Sequence, residues 1–169
     1  MHGADVPPES FGEFHGVVAL WNHRRSGDVL PRWRDYDIPD FRGWFGMVSL
    51  ARIAETPFDA VYEFFGTGLC ALAARDLTGL SATGFPPGAT DAERDQTRTH
   101  LENLRRDRGI GIRNLRFDTA HRQRIDALMI DLLVSKGPEP DGHVLSYLHI
   151  RHRQDLTDAA AQPWRAAGD

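Results

Sequence analysis

The chain has 169 residues, of which 41% are hydrophobic, so it is long and apolar enough for one domain with a packed core. Its formal net charge is -4, which excludes a whole-chain attraction for nucleic acid or an anionic membrane. A single cysteine excludes an internal disulfide, and no apolar run approaches the length that crosses a bilayer. The first residues also lack a signal-peptide pattern. We therefore expect a cytoplasmic protein with no nucleic-acid or membrane partner.

The first element in chain order is an amphipathic helix behind a flexible leader, residues 1–9. Ser10 and Glu13 have the spacing of a capping box, which predicts a helix from Ser10 to about Arg24. One side of this helix is apolar and carries Phe11, Phe14, Val17, Val18 and Trp21. We interpret this face as either a cover for the chain's own sheet or a dimer interface.

Two strands and a helix follow a connector rich in proline and aspartate. Apolar runs predict the first strand at Met47 to Ala54 and the second at Ala60 to Phe65. The second strand leads into a helix from Thr67 to Arg75, and Gly79 is expected to provide its left-handed stop.

The second half of the chain predicts one long helix and three strands. Thr90 and Glu93 form another capping-box pair, which opens a helix that ends before Gly109. Connectors of hairpin length separate the predicted strands, which are Ile110 to Phe117, Arg124 to Val134 and His143 to His152. The predicted domain spans residues 10–154, and residues 155–169 are expected to form a frayed tail.

This order of elements predicts an α+β fold with a five-stranded, mostly antiparallel sheet and two central helices on one face. In the fourth strand Met129 and Leu133 alternate with Ile130 and Leu132, so both faces of the sheet are apolar and need a cover. The N-terminal helix is the natural cover for the second face. Because one short helix would leave part of this apolar surface uncovered, we favour a homodimer.

Three segments in order carry a family resemblance. Residues 30–41 begin Leu-Pro-Arg-Trp, residues 58–68 end Phe-Phe-Gly-Thr-Gly, and residues 76–79 are Asp-Leu-Thr-Gly. Together they resemble the PAS superfamily of small sensory domains, in particular its short stand-alone alphaproteobacterial proteins. The resemblance covers about Val17 to Arg153. It implies a PAS-like fold, a ligand-sized cleft under the central helices and a sensory role, and it names no ligand.

The resemblance and the spacing of apolar residues together predict a largely apolar ligand-binding cleft. Its expected lining is Tyr62, Phe64, Leu72, His100, Leu101, Leu104, Ile112 and Met129. The expected function is a non-catalytic sensory or regulatory module. It would act through a small-molecule ligand, through contacts with a signalling protein, or through both.

A haem-binding sensor is one alternative, because some PAS proteins hold haem through a histidine on the helix that corresponds to the one carrying His100. A lone histidine among charged neighbours equally fits a solvated helix position. With no second ligand or attachment motif, we expect no cofactor and no metal. Cys70 lacks the Asn-Cys-Arg-Phe surroundings of flavin photosensors, so we interpret it as a small core residue.

A small cleft enzyme, an isomerase or a hydrolase, is the other alternative. Asp131 lies among apolar neighbours and would be its base, alone or together with His100, because such surroundings raise a carboxyl pKa. We favour a carboxylate that is exposed at a strand end or satisfied by hydrogen bonds. No nucleophile, phosphate-loop or paired metal-ligand motif is present, so we predict no catalytic residue.

Two remaining features are interpreted as structural. The basic clusters Arg105-Arg106-Asp107-Arg108 and Arg151-His152-Arg153 are short and fit solvated ends of elements. The aromatic side chains Trp33, Tyr36 and Trp44 are interpreted as packing anchors of the connector and of a short helix that is predicted to begin at Pro39.

Overall fold

The computed structural model describes residues 7–27, 29–86, 88–136 and 142–156. Residues 1–6 of the expected leader and residues 157–169 of the expected tail lie outside these ranges. The described helices are α1 (His15–His23), α2 (Thr67–Ala73) and α3 (Asp91–Asp107). The strands are β1 (Val48–Glu55), β2 (Phe58–Phe65), β3 (Ile110–Asp118), β4 (Gln123–Val134) and β5 (His143–Asp155). None of the helices in the described ranges is long and apolar enough to span a membrane.

The five strands form one sheet in the order β2-β1-β5-β4-β3, and every neighbouring pair is antiparallel. The helices α2 and α3 come between β2 and β3 in the chain and lie on one face of the sheet, here called the inner face. The helix α1 covers the opposite, outer face. The predicted α+β fold class, with its PAS-like arrangement of strands and helices, is confirmed.

The apolar side of α1 packs on the chain's own sheet. Phe14, Val17, Val18 and Trp21 are all at most 2% exposed within the single chain. The Phe14 ring lies edge-on to Tyr147 of β5 at a centroid distance of 5.8 Å. These contacts place α1 as a cover, with Phe11 partly buried against the same core. This face is therefore covered within the single chain and gives no reason to expect a homodimer through it, and the homodimer itself stays a prediction.

The N-terminal helix differs from its prediction in length and in start. A 3-10 helix, Pro8–Phe14, precedes α1, so Ser10 lies inside a helical segment and is not its N-cap. Gly12 takes a φ of 53° inside this 3-10 segment and divides it in two. This left-handed conformation is open to glycine and interrupts regular helix, which explains the break.

The first central helix ends earlier than predicted, and the second begins where it was predicted to begin. α2 stops at Ala73 because Ala74 takes the left-handed conformation, whereas Gly79 has that conformation in a later turn. Between them the Asp76 carboxylate accepts hydrogen bonds from the backbone and the hydroxyl of Thr78, which fixes a turn in place of helix. In α3 the predicted capping box of Thr90 and Glu93 is confirmed.

Candidate functional site

A row of small and polar residues crosses the inner face of the sheet. Asp131 of β4 is paired with Gly111 of β3 on one side and with Ser146 of β5 on the other. Ser146 is paired in turn with Ser49 of β1. Directly opposed residues of neighbouring strands point to the same face. The register therefore places a carboxylate, two hydroxyls and a glycine, which has no side chain, next to one another under α3.

Asp131 is completely buried and accepts hydrogen bonds from side chains of three different elements. Its donors are Arg113 Nε at 2.8 Å, His100 Nε2 at 2.9 Å and Ser146 Oγ at 2.5 Å. We call these four residues the Asp131 cluster. A buried charge is tolerated when it is paired and hydrogen-bonded, and this carboxylate is both.

The cluster joins α3 to the sheet. His100 reaches from α3 into the space above Gly111, where a Cβ atom would lie 2.8 Å from His100 Nε2. A glycine at this position therefore makes room for the imidazole. Arg113 of β3 also lies 3.4 Å from Thr97 Oγ1 of α3, through its Nη1 atom. Two residues of α3 are thus tied to the Asp131 cluster.

The environment of Asp131 favours its ionised form. Burial alone would raise the pKa of this carboxyl, but the charge of Arg113 and the hydrogen bond from His100 outweigh burial and hold the pKa well below its ordinary value. An ionised carboxylate only accepts hydrogen bonds, so the proton of the His100–Asp131 bond lies on Nε2.

This arrangement fits a structural anion rather than a general base. A base needs access to substrate and a pKa near the working pH, and Asp131 has neither. The serine is also placed differently from a nucleophilic triad, in which the histidine lies between the serine and the acid. Here both Ser146 and His100 bond to Asp131.

Five of the residues predicted to line a cleft are packed in the core beneath the helices. Each is at most 5% exposed, and they are Tyr62, Leu72, Leu101, Leu104 and Met129. His100, the sixth residue on this side of the sheet, belongs to the Asp131 cluster. None of these six lines either the outer-face cavity described below or the open cleft beside α3 formed around Phe58 and Arg105.

The two other predicted residues, Phe64 and Ile112, do not face the helices. The register of β1 and β2 shifts between Leu50 and Ala51, so β2 carries an extra residue and Phe64 points away from Tyr62 despite their spacing. Ile112 alternates with Gly111, which faces His100, and is 45% exposed on the other side. These two assignments to the inner cleft are corrected.

An aromatic cavity lies on the outer face, between the connector and the start of β1. Its volume is about 170 Å³. The eight described residues that line it are Trp33, Tyr36, Asp37, Phe41, Phe45, Gly46, Val48 and Phe64. The sequence pattern indicated packing anchors for Trp33 and Tyr36, and they do pack together with centroids 6.0 Å apart. Their enclosure of a cavity depends on the fold and has no local sequence signal.

The residues considered for cofactors have other contacts. Nε2 of His100 is engaged by Asp131. Within the described ranges no group of three or more His, Cys, Asp or Glu residues is placed to hold a metal ion. The Cys70 thiol donates to the Phe65 carbonyl at 3.6 Å, and burial raises its pKa, which makes it a poor nucleophile. The absence of a cofactor stays a prediction.

Arg113, Ser146 and Ser49 are the residues of the inner face that sequence reasoning missed. Each is a polar residue within a strand, and its importance follows from the register that brings it onto the same face as Asp131. The spacing of Gly111 and Arg113, two residues apart along β3, is the one local signal, and it indicates that these two residues share a face.

Compared with known proteins, the chain matches no family model and no curated protein.

Proposed function

We propose that this protein is a non-catalytic sensory or regulatory module of the PAS type, which acts by binding a small molecule, a signalling protein or both. The observation that carries the proposal is the buried Asp131 cluster, which ties α3 to the sheet through His100. The order of strands in the sheet agrees with the PAS resemblance of the sequence.

The cluster supports a regulatory role because it gives α3 a polar connection that is either made or broken. Buried ion pairs add little net stability compared with apolar packing, and their best-attested use is to fix a register or a switch. Packed interfaces of this kind change between discrete arrangements instead of deforming continuously. A ligand or partner that prefers one position of α3 would shift its population.

The geometry gives no comparable support to a cleft enzyme. The candidate base is fully buried, its pKa is lowered, and its hydrogen-bond acceptors are occupied by three side chains. An active site needs an acid or base in contact with substrate, which this arrangement does not offer.

Turnover measurements test the proposal. Wild-type protein, Asp131→Asn and the matched control Asp126→Asn are assayed against a panel of ester, phosphoester and carbon-acid substrates. Asp126 lies on the same strand but pairs with Arg116 at the surface. We expect no turnover that depends on Asp131. Robust turnover by the wild type that is lost in Asp131→Asn and kept in Asp126→Asn contradicts the proposal and establishes the enzyme.

An absorption spectrum and native mass spectrometry of the purified protein complete the test. We expect a colourless protein whose mass reveals any retained small molecule and whether the chain forms the predicted homodimer. A Soret band that disappears in His100→Ala would replace the proposal with the haem-sensor alternative.

A further inference from the structure

The outer-face cavity has the composition of a site for an organic cation. We propose that it binds a small alkylammonium group, such as the trimethylammonium head of choline, between its aromatic rings and the Asp37 carboxylate. The site lies on the face of the sheet opposite the Asp131 cluster. Binding at this site therefore does not depend on the role proposed for α3.

Three aromatic rings of the cavity are neighbours that pack at a moderate tilt. Trp33, Tyr36 and Phe41 have centroids 5.7 to 6.0 Å apart and planes inclined by 34 to 36° to one another. No pair of these rings packs edge-on at a right angle. The face of an aromatic ring carries the negative part of its quadrupole and attracts cations, most strongly in tryptophan.

Two further rings of the cavity are exposed to solvent. Phe45 is 62% exposed and Phe64 is 41% exposed, whereas most large apolar side chains of this chain are buried. Exposed aromatic residues beside a concave site are expected when they contact a ligand. They leave the cavity open to a molecule from solution.

Asp37 supplies the charge complementarity. It is the only charged residue among the eight described residues that line the cavity, and it is exposed. Its neighbours Asp35 and Asp40 are paired with Arg32 and Arg24, respectively. The Asp37 side chain accepts a hydrogen bond from the backbone of Asp40, and a carboxylate has further acceptor sites beyond that one.

The volume of the cavity sets the size of the ligand. At about 170 Å³ the cavity is smaller than the pockets of about 300–1,000 Å³ that hold drug-sized ligands. The cavity therefore suits a small head group such as trimethylammonium. A second polar feature is the Tyr36 hydroxyl, which is buried and has no hydrogen-bond partner among the described residues.

The test compares two ligands of the same shape and different charge. Choline chloride and its neutral carbon isostere 3,3-dimethyl-1-butanol are titrated into the protein at constant ionic strength. Proton–nitrogen spectra follow the indole resonances, and Trp33→Leu identifies the signal of Trp33. We expect saturable choline binding that shifts the Trp33 indole, with the neutral isostere binding at least about fivefold more weakly, as loss of a cation–π contact of about 1 kcal/mol requires.

Matched variants complete the design. Asp37→Asn removes the charge but keeps a residue that caps a helix well, so we expect the fold to persist and choline to bind at least about fivefold more weakly. Asp35→Asn removes a neighbouring charge outside the cavity and is expected to bind choline as the wild type does. Equal affinity for the neutral isostere, unchanged binding in Asp37→Asn, or no saturable shift of Trp33 would each overturn the proposal.

Discussion

Asp131 keeps its charge at a fully buried position because Arg113, His100 and Ser146 all donate to it. Its lowered pKa makes the carboxylate a source of stability that depends on pH. The contribution is fully present above the unfolded-state pKa of about 3.9 and is lost as the pH falls below that value toward the folded-state pKa. Stability falls as the pH is lowered because the carboxyl group of the unfolded chain binds its proton at a higher pH than the buried carboxylate of the folded chain does.

Asp131→Asn should therefore lower the free energy of unfolding by about 3–5 kcal/mol at pH 7, the usual cost of breaking a buried ion pair. The difference from the wild type should shrink as the pH falls below about 4. Urea denaturation across pH 3 to 7 measures both effects. Asp126→Asn, which removes a partly exposed partner of Arg116, should cost less than about 1 kcal/mol. Parallel pH profiles for the wild type and Asp131→Asn would contradict this account of Asp131.

Two serines that face each other across β1 and β5 should respond differently to alanine. Ser146 donates to the buried carboxylate, and a hydrogen bond to a charged group contributes about 1.5–3 kcal/mol. Ser49 is equally buried, but its hydroxyl has no partner among the described residues. Denaturation should show Ser146→Ala losing that amount and Ser49→Ala staying within about 0.5 kcal/mol of the wild type. Equal losses would mean that Ser146 acts by packing alone.

Gly111 should be constrained by the imidazole above it. A Cβ atom at Gly111 would press on His100, so Gly111→Ala should lower the free energy of unfolding by about 1–3 kcal/mol, as overpacking does. In a His100→Ala background the same substitution should cost little, because the neighbour is gone. A double-mutant cycle by urea denaturation measures this coupling. An unchanged cost in the second background would place the constraint elsewhere. Gly84→Ala, where a Cβ meets nothing within 4 Å, is the control.

Among the elements, α1 is the cover that the apolar outer face requires. Trp21 shows how closely it is attached, since the ring is fully buried and its Nε1 donates to the Leu133 carbonyl of β4 at 2.9 Å. The neighbouring Trp44 is only partly buried and contacts Tyr147 through ring packing at 6.1 Å. One tryptophan thus combines packing with a long-range hydrogen bond, and the other shows packing alone.

Replacing each tryptophan by phenylalanine should separate these contributions. Trp21→Phe leaves the buried Leu133 carbonyl without its donor and should lower the free energy of unfolding by about 1–3 kcal/mol or more. Trp44→Phe keeps an aromatic ring in place and should cost less than about 1.5 kcal/mol. Thermal or urea unfolding of both variants measures these losses in the free energy of unfolding. A smaller loss for Trp21→Phe than for Trp44→Phe would show that α1 is not held through this bond.

Local patterns were sufficient to predict most elements and insufficient to predict their contacts. The capping box at Thr90 and the strand around Met129 are written in neighbouring residues, so both were predictable. The bulge that turns Phe64 outward depends on the pairing of β1 with β2, which no local pattern reveals. The partners of Asp131 come from positions 15 to 31 residues away, and the register alone brings them together.

At the scale of the whole molecule, the sheet separates two regions of different chemistry. The inner face carries the Asp131 cluster, and the outer face carries α1 and the aromatic cavity. A regulatory module needs an element whose position can change without unfolding the rest, and such elements have a low local opening free energy. The cluster makes α3 the candidate, because two residues of this helix, His100 and Thr97, bond to members of the cluster.

Native-state hydrogen exchange of α3 tests this claim most directly. His100→Gln removes the imidazole from the cluster, and Glu102→Gln changes an exposed residue of the same helix as a control. We expect His100→Gln to lower the opening free energy of α3 amides by at least about 1 kcal/mol, whereas amides of β1 and β5 keep theirs and Glu102→Gln matches the wild type. Equal protection of α3 in the wild type and His100→Gln, or a uniform loss over the whole chain, would contradict it.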